Sequence, residues 1–129
     1  MDYVADTVAL VRFLSESGRI GKAALGILEA AEQGQHTIWI PAATLVEILY
    51  LSEKNRIPLN LREVRNRTEG AENYRVVDLG FDIVETAASV PGLETFDRLI
   101  VATAKHLGFP VLTPDEQIRD RSGIETIWD

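Results

Sequence analysis

The chain has 129 residues, of which 46% are hydrophobic, and this length suits one domain with one core. The absence of cysteine excludes disulfides, thiolate metal sites and cysteine nucleophiles, and it fits a reducing compartment. A net charge of −7 disfavours a nucleic-acid partner, although the local distribution of charge can overrule the total.

The N-terminus shows no sign of a secretion signal, because no basic region precedes a long apolar stretch. No apolar run approaches the roughly 20 residues that cross a bilayer. We therefore expect a single domain over residues 1–129 that is located in the cytoplasm and does not involve a membrane.

Apolar periodicity predicts helices and short strands that alternate along the chain. In chain order they are strand 3–6, helix 7–16, helix 21–33, strand 37–40, helix 43–54, helix 60–68, a segment 76–79 that is either a strand or the approach to a helix, helix 81–89, helix 95–107, strand 110–113 and strand 124–128. This alternation predicts an α/β sandwich around a mostly parallel sheet.

Two acids follow predicted strands, at the sheet edge where ligands bind in folds of this class. Asp6 ends the first strand, and Asp115 comes directly after strand 110–113. Each acid also suits the N-cap position of a following helix. Thr7 and Thr113 flank the two acids, and their hydroxyls are suited to orient the carboxylates or to cap the next helix.

Glu47 is the least expected acid, because it lies within the apolar stretch ATLVEILYL at residues 43–51. A helix that is apolar on nearly all sides is typical of a buried helix. Burying an unpaired carboxylate costs several kcal/mol or raises its pKa. Glu47 is therefore expected to face a compensating cation, either at a functional site or as an arginine in a buried salt bridge.

Asp97 begins the amphipathic stretch FDRLIVATAKHLG at residues 96–108. Helical spacing places it on the same face as Ile100 and Ala104, which points inward. The helix macrodipole favours an acid in a first turn by roughly 0.3–1 kcal/mol, but this does not explain the inward direction. Glu94, one turn earlier, is positioned to join the same cluster.

Four acids that converge on one sheet edge repel each other strongly unless a divalent cation lies between them. Oxygen ligands, with no cysteine and no nearby histidine, suit Mg²⁺ or Mn²⁺. The sequence therefore predicts a metal site, with candidate ligands Asp6, Glu47, Asp97 and Asp115.

The order and spacing of four blocks resemble PIN domains, in particular the VapC toxins of bacterial and archaeal toxin–antitoxin pairs. The blocks are YVADTVALV, IPAATLVEILYL, FDRLIVATAKHLG and VLTPDEQIRD, and the resemblance covers essentially the whole chain. It implies a three-layer α/β/α sandwich with a parallel sheet and metal-dependent endoribonuclease activity on RNA. It also implies a homodimer and a cognate antitoxin whose basic side chains enter the acidic pocket.

The resemblance also assigns site residues by position. The four family acids and the hydroxyl beside the last of them match Asp6, Glu47, Asp97, Asp115 and Thr113. Two positions depart from the pattern. Many relatives read Asp-Pro-Phe-Asp where this chain has Glu94 at the first position and no proline, and many have a small polar residue where Val8 stands.

Basic residues are concentrated in one segment, at Lys54, Arg56, Arg62, Arg65 and Arg67. Such a run is either a solvated helix face or a basic surface beside the acidic pocket that guides RNA or docks a partner. Arg98 is placed either to pair with its neighbour Asp97 or to contact phosphate.

The sequence lacks the motifs of two other classes of α/β module. A receiver-type phosphoacceptor requires paired acids after the first strand and a lysine at the end of the last strand, but only Asp6 follows the first strand and Lys105 is the last lysine. A dehalogenase-like phosphatase requires an Asp-x-Asp motif, which is absent. The alternative to the nuclease is a receiver-like domain or a catalytically inactive Mg²⁺-binding interaction domain.

Overall fold

A computed structural model describes residues 1–129. Seven helices and five strands follow the predicted order: β1 (Asp2–Ala5), α1 (Thr7–Ser15), α2 (Lys22–Glu32), β2 (Thr37–Pro41), α3 (Ala42–Glu53), α4 (Leu61–Thr68), β3 (Tyr74–Val77), α5 (Phe81–Ala87), α6 (Thr95–Leu107), β4 (Val111–Leu112), α7 (Glu116–Arg121) and β5 (Thr126–Ile127). The segment at 76–79 belongs partly to strand β3, which begins two residues earlier than that segment. The short helix α7 was not predicted.

The five strands form one parallel sheet in the order β3-β2-β1-β4-β5. The strand order reverses beside β1, since β2 and β3 lie on one side of it and β4 and β5 lie on the other. In open α/β sheets, ligands bind in the crevice at such a reversal, beyond the carboxyl ends of the strands. Here the crevice opens between β1 and β4, where Ala5 pairs with Leu112.

Helices cover both faces of the sheet, which confirms the three-layer α/β/α sandwich. Alternate residues of β1 belong to different cores, as the period of two along a strand requires. Ala5 packs with Leu10 and Leu28 on one face, while Val4 packs with Ile100 on the other. Helix α6 therefore forms the centre of the second face.

The C-terminal segment is attached to the start of α2. The backbone N–H of Ala24 donates to the carbonyl oxygen of Trp128 at 3.0 Å. Gly21 makes this close approach possible, because a Cβ atom there would lie 2.1 Å from the same oxygen. A residue with a side chain at position 21 would displace the C-terminal segment.

The expectation that helix α3 is buried on all sides is wrong. Ile48 is fully buried, but Val46 is 50% exposed and Leu49 and Tyr50 are also exposed. The Lys54 ammonium lies over the exposed Tyr50 ring, 5.8 Å from its centroid. Helix α5 also exposes large apolar side chains, above all Phe81 at 83%. None of the helices combines the length and apolar character that crossing a bilayer requires.

Candidate active site

Asp6 and Asp115 lie at the carboxyl ends of the adjacent strands β1 and β4, on the edge predicted for them. Both also cap the following helix, so the capping and site interpretations are compatible. Oδ1 of Asp6 accepts the backbone N–H of Ala9 at 2.8 Å. Oδ1 of Asp115 accepts the N–H groups of Gln117 and Ile118 at 2.8 and 3.0 Å. In each acid, capping uses only one carboxylate oxygen.

Asp6 is the most buried of the four acids, with 4% of its surface exposed. The pKa of its carboxyl is raised to about 7, mainly by burial and to a smaller extent by the negative charges of Asp115 and Glu47. The Thr113 hydroxyl and the Ala9 N–H oppose this shift by stabilising the carboxylate. Thr113 itself is buried, and its Oγ1 accepts the Asp115 N–H at 3.0 Å. Thr113 thus contacts both strand-end acids.

Asp97 lies in the first turn of α6 and is partly buried. Burial raises the pKa of its carboxyl to about 7, and Glu94, Asp115, Glu47 and Asp6 all add to the shift through their negative charges. Neither side-chain oxygen of Asp97 accepts a hydrogen bond from the protein. The charges of Glu47 and Asp115 therefore act on both Asp6 and Asp97.

Glu94 has a defined structural role as the N-cap of α6. Its Oε1 accepts the backbone N–H of Asp97 at 3.1 Å. Glu94 therefore carries out the capping that starts this helix, and its charge adds to the negative potential at Asp97.

Glu47 receives its hydrogen bond from Thr7 and not from an arginine. The Thr7 hydroxyl donates to Oε1 of Glu47 at 2.5 Å, across 40 residues of sequence. The sequence drew attention to Thr7 only as a neighbour of Asp6. No local pattern indicates this contact, because it depends on how α1 packs against α3.

No cation of the protein neutralises these acids. The four ion pairs of the chain join Arg19 to Asp129, Arg65 to Glu69, Arg67 to Glu32 and Arg119 to Asp120. No three acidic or histidine side chains stand close enough together to hold a metal ion as they are placed.

Arg98 contacts neither Asp97 nor the sheet edge. Its Nε and Nη2 both donate to the carbonyl oxygen of Ala87, at 3.2 and 2.9 Å, and so tie α6 to α5. Of the basic run, Arg65 and Arg67 are engaged in ion pairs. Arg56 lines a cavity of about 280 Å³ together with Thr7 and Val8, next to Asp6 in the chain.

Comparison with known proteins gives consistent matches. The model of the PIN domain matches residues 3–124. The chain is 29% identical over 119 residues to Ribonuclease VapC22 of Mycobacterium tuberculosis, with 88% of each protein covered. The structure is similar to VapBC2 from Rickettsia felis bound to a DNA fragment from their promoter, with a TM-score of 0.72, 16% identity and full coverage of both chains. It is also similar to a toxin–antitoxin complex from Klebsiella pneumoniae, with a TM-score of 0.63, 22% identity and coverage of 97% of this chain and 95% of that one.

Proposed function

The chain belongs to the PIN-domain family, and on this premise we propose that it is a metal-dependent endoribonuclease and the toxin of a toxin–antitoxin pair. The observation that carries the proposal is a set of uncompensated acids at the reversal point of the sheet. Burial is the main cause of the raised pKa values of Asp6 and Asp97, and the negative charges of Asp115 and Glu47 contribute to both. Strongly perturbed acids in a crevice are typical of functional sites. The 29% identical relative named as a ribonuclease supports the same activity.

The donor set fits a hard divalent cation. Every candidate ligand is a carboxylate, and Asp6 and Asp115 each have one oxygen free of the capping hydrogen bonds. We assign the ion to Asp6 and Asp97 directly, with Asp115 and Glu47 as further ligands, direct or through water. Because these side chains do not form a metal-binding group as they are placed, binding of the ion requires them to reorient. Mg²⁺ and Mn²⁺ both suit such oxygen ligands.

In phosphodiester cleavage, a bound divalent ion lowers the pKa of the attacking water and offsets charge on the transferring phosphate. The side chains of this chain supply the rest. Glu47 and Asp97 each keep a carboxylate oxygen without a hydrogen-bond partner, so either can accept the proton of the attacking water. Thr113 hydrogen-bonds to the Asp6 carboxylate and to the backbone N–H of Asp115, and it thereby holds the two sides of the crevice together.

RNA must approach this acidic crevice despite the net charge of −7. Arg56 lines the cavity beside Thr7 and takes part in no ion pair, so it is free to contact a phosphate group. Lys54 and Arg62 are likewise exposed and form no ion pair, and Lys54 lies over the Tyr50 ring. We assign substrate guidance to these three residues, and structural ion pairs to Arg65 and Arg67.

Two protein partners are part of the proposal. The crevice attracts cations, so an antitoxin with basic side chains fits it, and the solved toxin–antitoxin complexes with this fold support such a partner. The exposed apolar side chains of α3 and α5 support a homodimer, because contiguous apolar patches mark association sites. The cysteine-free composition agrees with action in the cytoplasm.

The decisive test is cleavage of mixed RNAs by the purified protein with Mg²⁺, with Mn²⁺ and with EDTA. We expect cleavage only with a divalent ion, and its loss in Asp6→Asn. Asp78→Asn is the matched control, since Asp78 also follows a strand of the sheet but is exposed at the edge strand. Equal cleavage by wild type and Asp6→Asn would indicate a contaminant. Absence of any cleavage, together with labelling of an aspartate by acetyl phosphate, would favour the receiver-like alternative.

A further inference from the structure

The hydrogen bond between Thr7 and Glu47 joins helix α1 to helix α3 at the candidate site through side chains alone. Thr7 is the first residue of α1 and is only 5% exposed. Its Oγ1 lies 2.5 Å from Oε1 of Glu47. This distance falls in the short range of hydrogen bonds from a hydroxyl to an ionised carboxylate, which are stronger than neutral ones.

We propose that Thr7 is a positioning residue that holds the carboxylate of Glu47 at the acidic crevice, and this inference rests on the proposed function. Glu47 projects from α3, has rotatable bonds that allow several directions, and is bound by no arginine or lysine. The Thr7 hydroxyl is the only group of the protein that donates to its side chain. Thr7 uses its single proton for Oε1, so Oε2 stays free to bind a cation or to accept a proton.

The position of Thr7 directly after Asp6 gives this contact its significance. The first turn of α1 fixes Asp6 through the capping bond to Ala9 and fixes Glu47 through the Thr7 hydroxyl. One helical turn therefore sets the distance between two acids that are 41 positions apart in the sequence. A site held in place before the ligand binds loses less freedom on binding.

Packing between α1 and α3 does not depend on this hydrogen bond. Leu10 and Ile48 are both fully buried and belong to the same apolar cluster. Helix α1 is capped by Asp6, so the Thr7 hydroxyl is not needed for capping. We therefore expect removal of the hydroxyl to act on the direction of Glu47 and to leave the fold intact.

The test compares Thr7→Val, which keeps the shape but removes the hydroxyl, with Thr7→Ser, which keeps the hydroxyl. Mn²⁺ affinity is measured by electron paramagnetic resonance without RNA, and kcat and KM are measured separately with RNA. We expect Thr7→Val to weaken Mn²⁺ binding by about tenfold, the lower end for a group that orients a metal ligand. Thr7→Ser should restore most of the affinity. Thr68→Val is the matched control, since the Thr68 hydroxyl is also buried but bonds only to its own helix.

A double-mutant cycle separates positioning from general damage to the fold. In a Glu47→Ala background, Thr7→Val should have no further effect on Mn²⁺ affinity, because the acceptor is gone. Wild-type affinity in Thr7→Val, or an equal loss in both backgrounds, would overturn the proposal. If Thr7→Val does not fold, Thr7→Ala replaces it in the same cycle. If the wild type binds Mn²⁺ but cuts no RNA, the proposed nuclease activity is refuted, while the effect of Thr7 on Mn²⁺ binding can still be measured. If the wild type binds no Mn²⁺, both the nuclease activity and the positioning role of Thr7 are refuted.

Discussion

Replacing Asp6 by asparagine should stabilise the metal-free protein at neutral pH, even though it removes a predicted catalytic group. The side-chain oxygen of asparagine is an equally good N-cap, so the hydrogen bond from the Ala9 N–H is preserved. What the substitution removes is a charge that burial and the neighbouring acids disfavour. The ionised Asp6 carboxylate therefore destabilises the folded state, and its removal should raise the free energy of unfolding.

The magnitude follows from the shift in the pKa of Asp6. The pKa rises from 3.8 to about 7 on folding, and each unit corresponds to about 1.4 kcal/mol, which gives about 4 kcal/mol at most. Because the folded-state pKa is the higher one, the native state binds more protons between these values. The stability of the wild type should therefore fall as pH rises from about 4 to about 7, and Asp6→Asn should not show this part of the loss.

The assay is urea unfolding in EDTA at pH 4, 6 and 8, followed by tryptophan fluorescence. We expect the advantage of Asp6→Asn to be small at pH 4 and largest at pH 8. Asp78→Asn, an exposed control, should show no such trend. Millimolar Mn²⁺ should then stabilise the wild type more than the variant, because the ion binds only the folded site. The reasoning would be refuted if Asp6→Asn were less stable than the wild type at pH 8. It would also be refuted if the difference in the free energy of unfolding between the two proteins were the same at every pH.

Three further substitutions test other parts of the structure. Gly21→Ala should destabilise the fold by about 3 kcal/mol, because its Cβ would collide with the Trp128 carbonyl oxygen; unchanged urea unfolding would contradict this. Arg98→Ala should lower the free energy of unfolding by about 2 kcal/mol, because its hydrogen bonds to the Ala87 carbonyl oxygen are lost. The KM for RNA should not rise, and a raised KM would indicate that Arg98 contacts phosphate. Phe81→Asp should halve the mass measured by light scattering, and an unchanged mass would exclude α5 from the dimer interface.

The strand and helix pattern was predictable because local signals agree with the tertiary fold. Gly34 and Gly108 lie just beyond the ends of α2 and α6 at positive φ, as a glycine stop signal predicts. Helix α7 is the exception. It has six residues, too few for apolar periodicity, and its only strong signal is the cap at Asp115, which was also interpreted as a site residue.

The candidate site was predictable only to the extent that strand ends locate it. Asp6 and Asp115 follow from the rule for parallel sheets, and the inward direction of Asp97 follows from helical spacing. The partner of Glu47 did not follow, since Thr7 is 40 residues away and the contact exists only once α1 packs against α3. Arg98 shows the same limit. Its position next to Asp97 in the sequence suggested an ion pair between them, but its guanidinium donates to the backbone carbonyl oxygen of Ala87 in α5.

The central claim is that acids from four separate elements share one divalent cation at the reversal point of the sheet. Crystals grown with Mn²⁺ and measured at an anomalous wavelength test it most directly. The account predicts a single strong peak within about 2.5 Å of carboxylate oxygens of Asp6 and Asp97, with Glu47 and Asp115 bound directly or through water. Full occupancy of Mn²⁺ elsewhere, with these four side chains unmoved and the crevice without a peak, would contradict it.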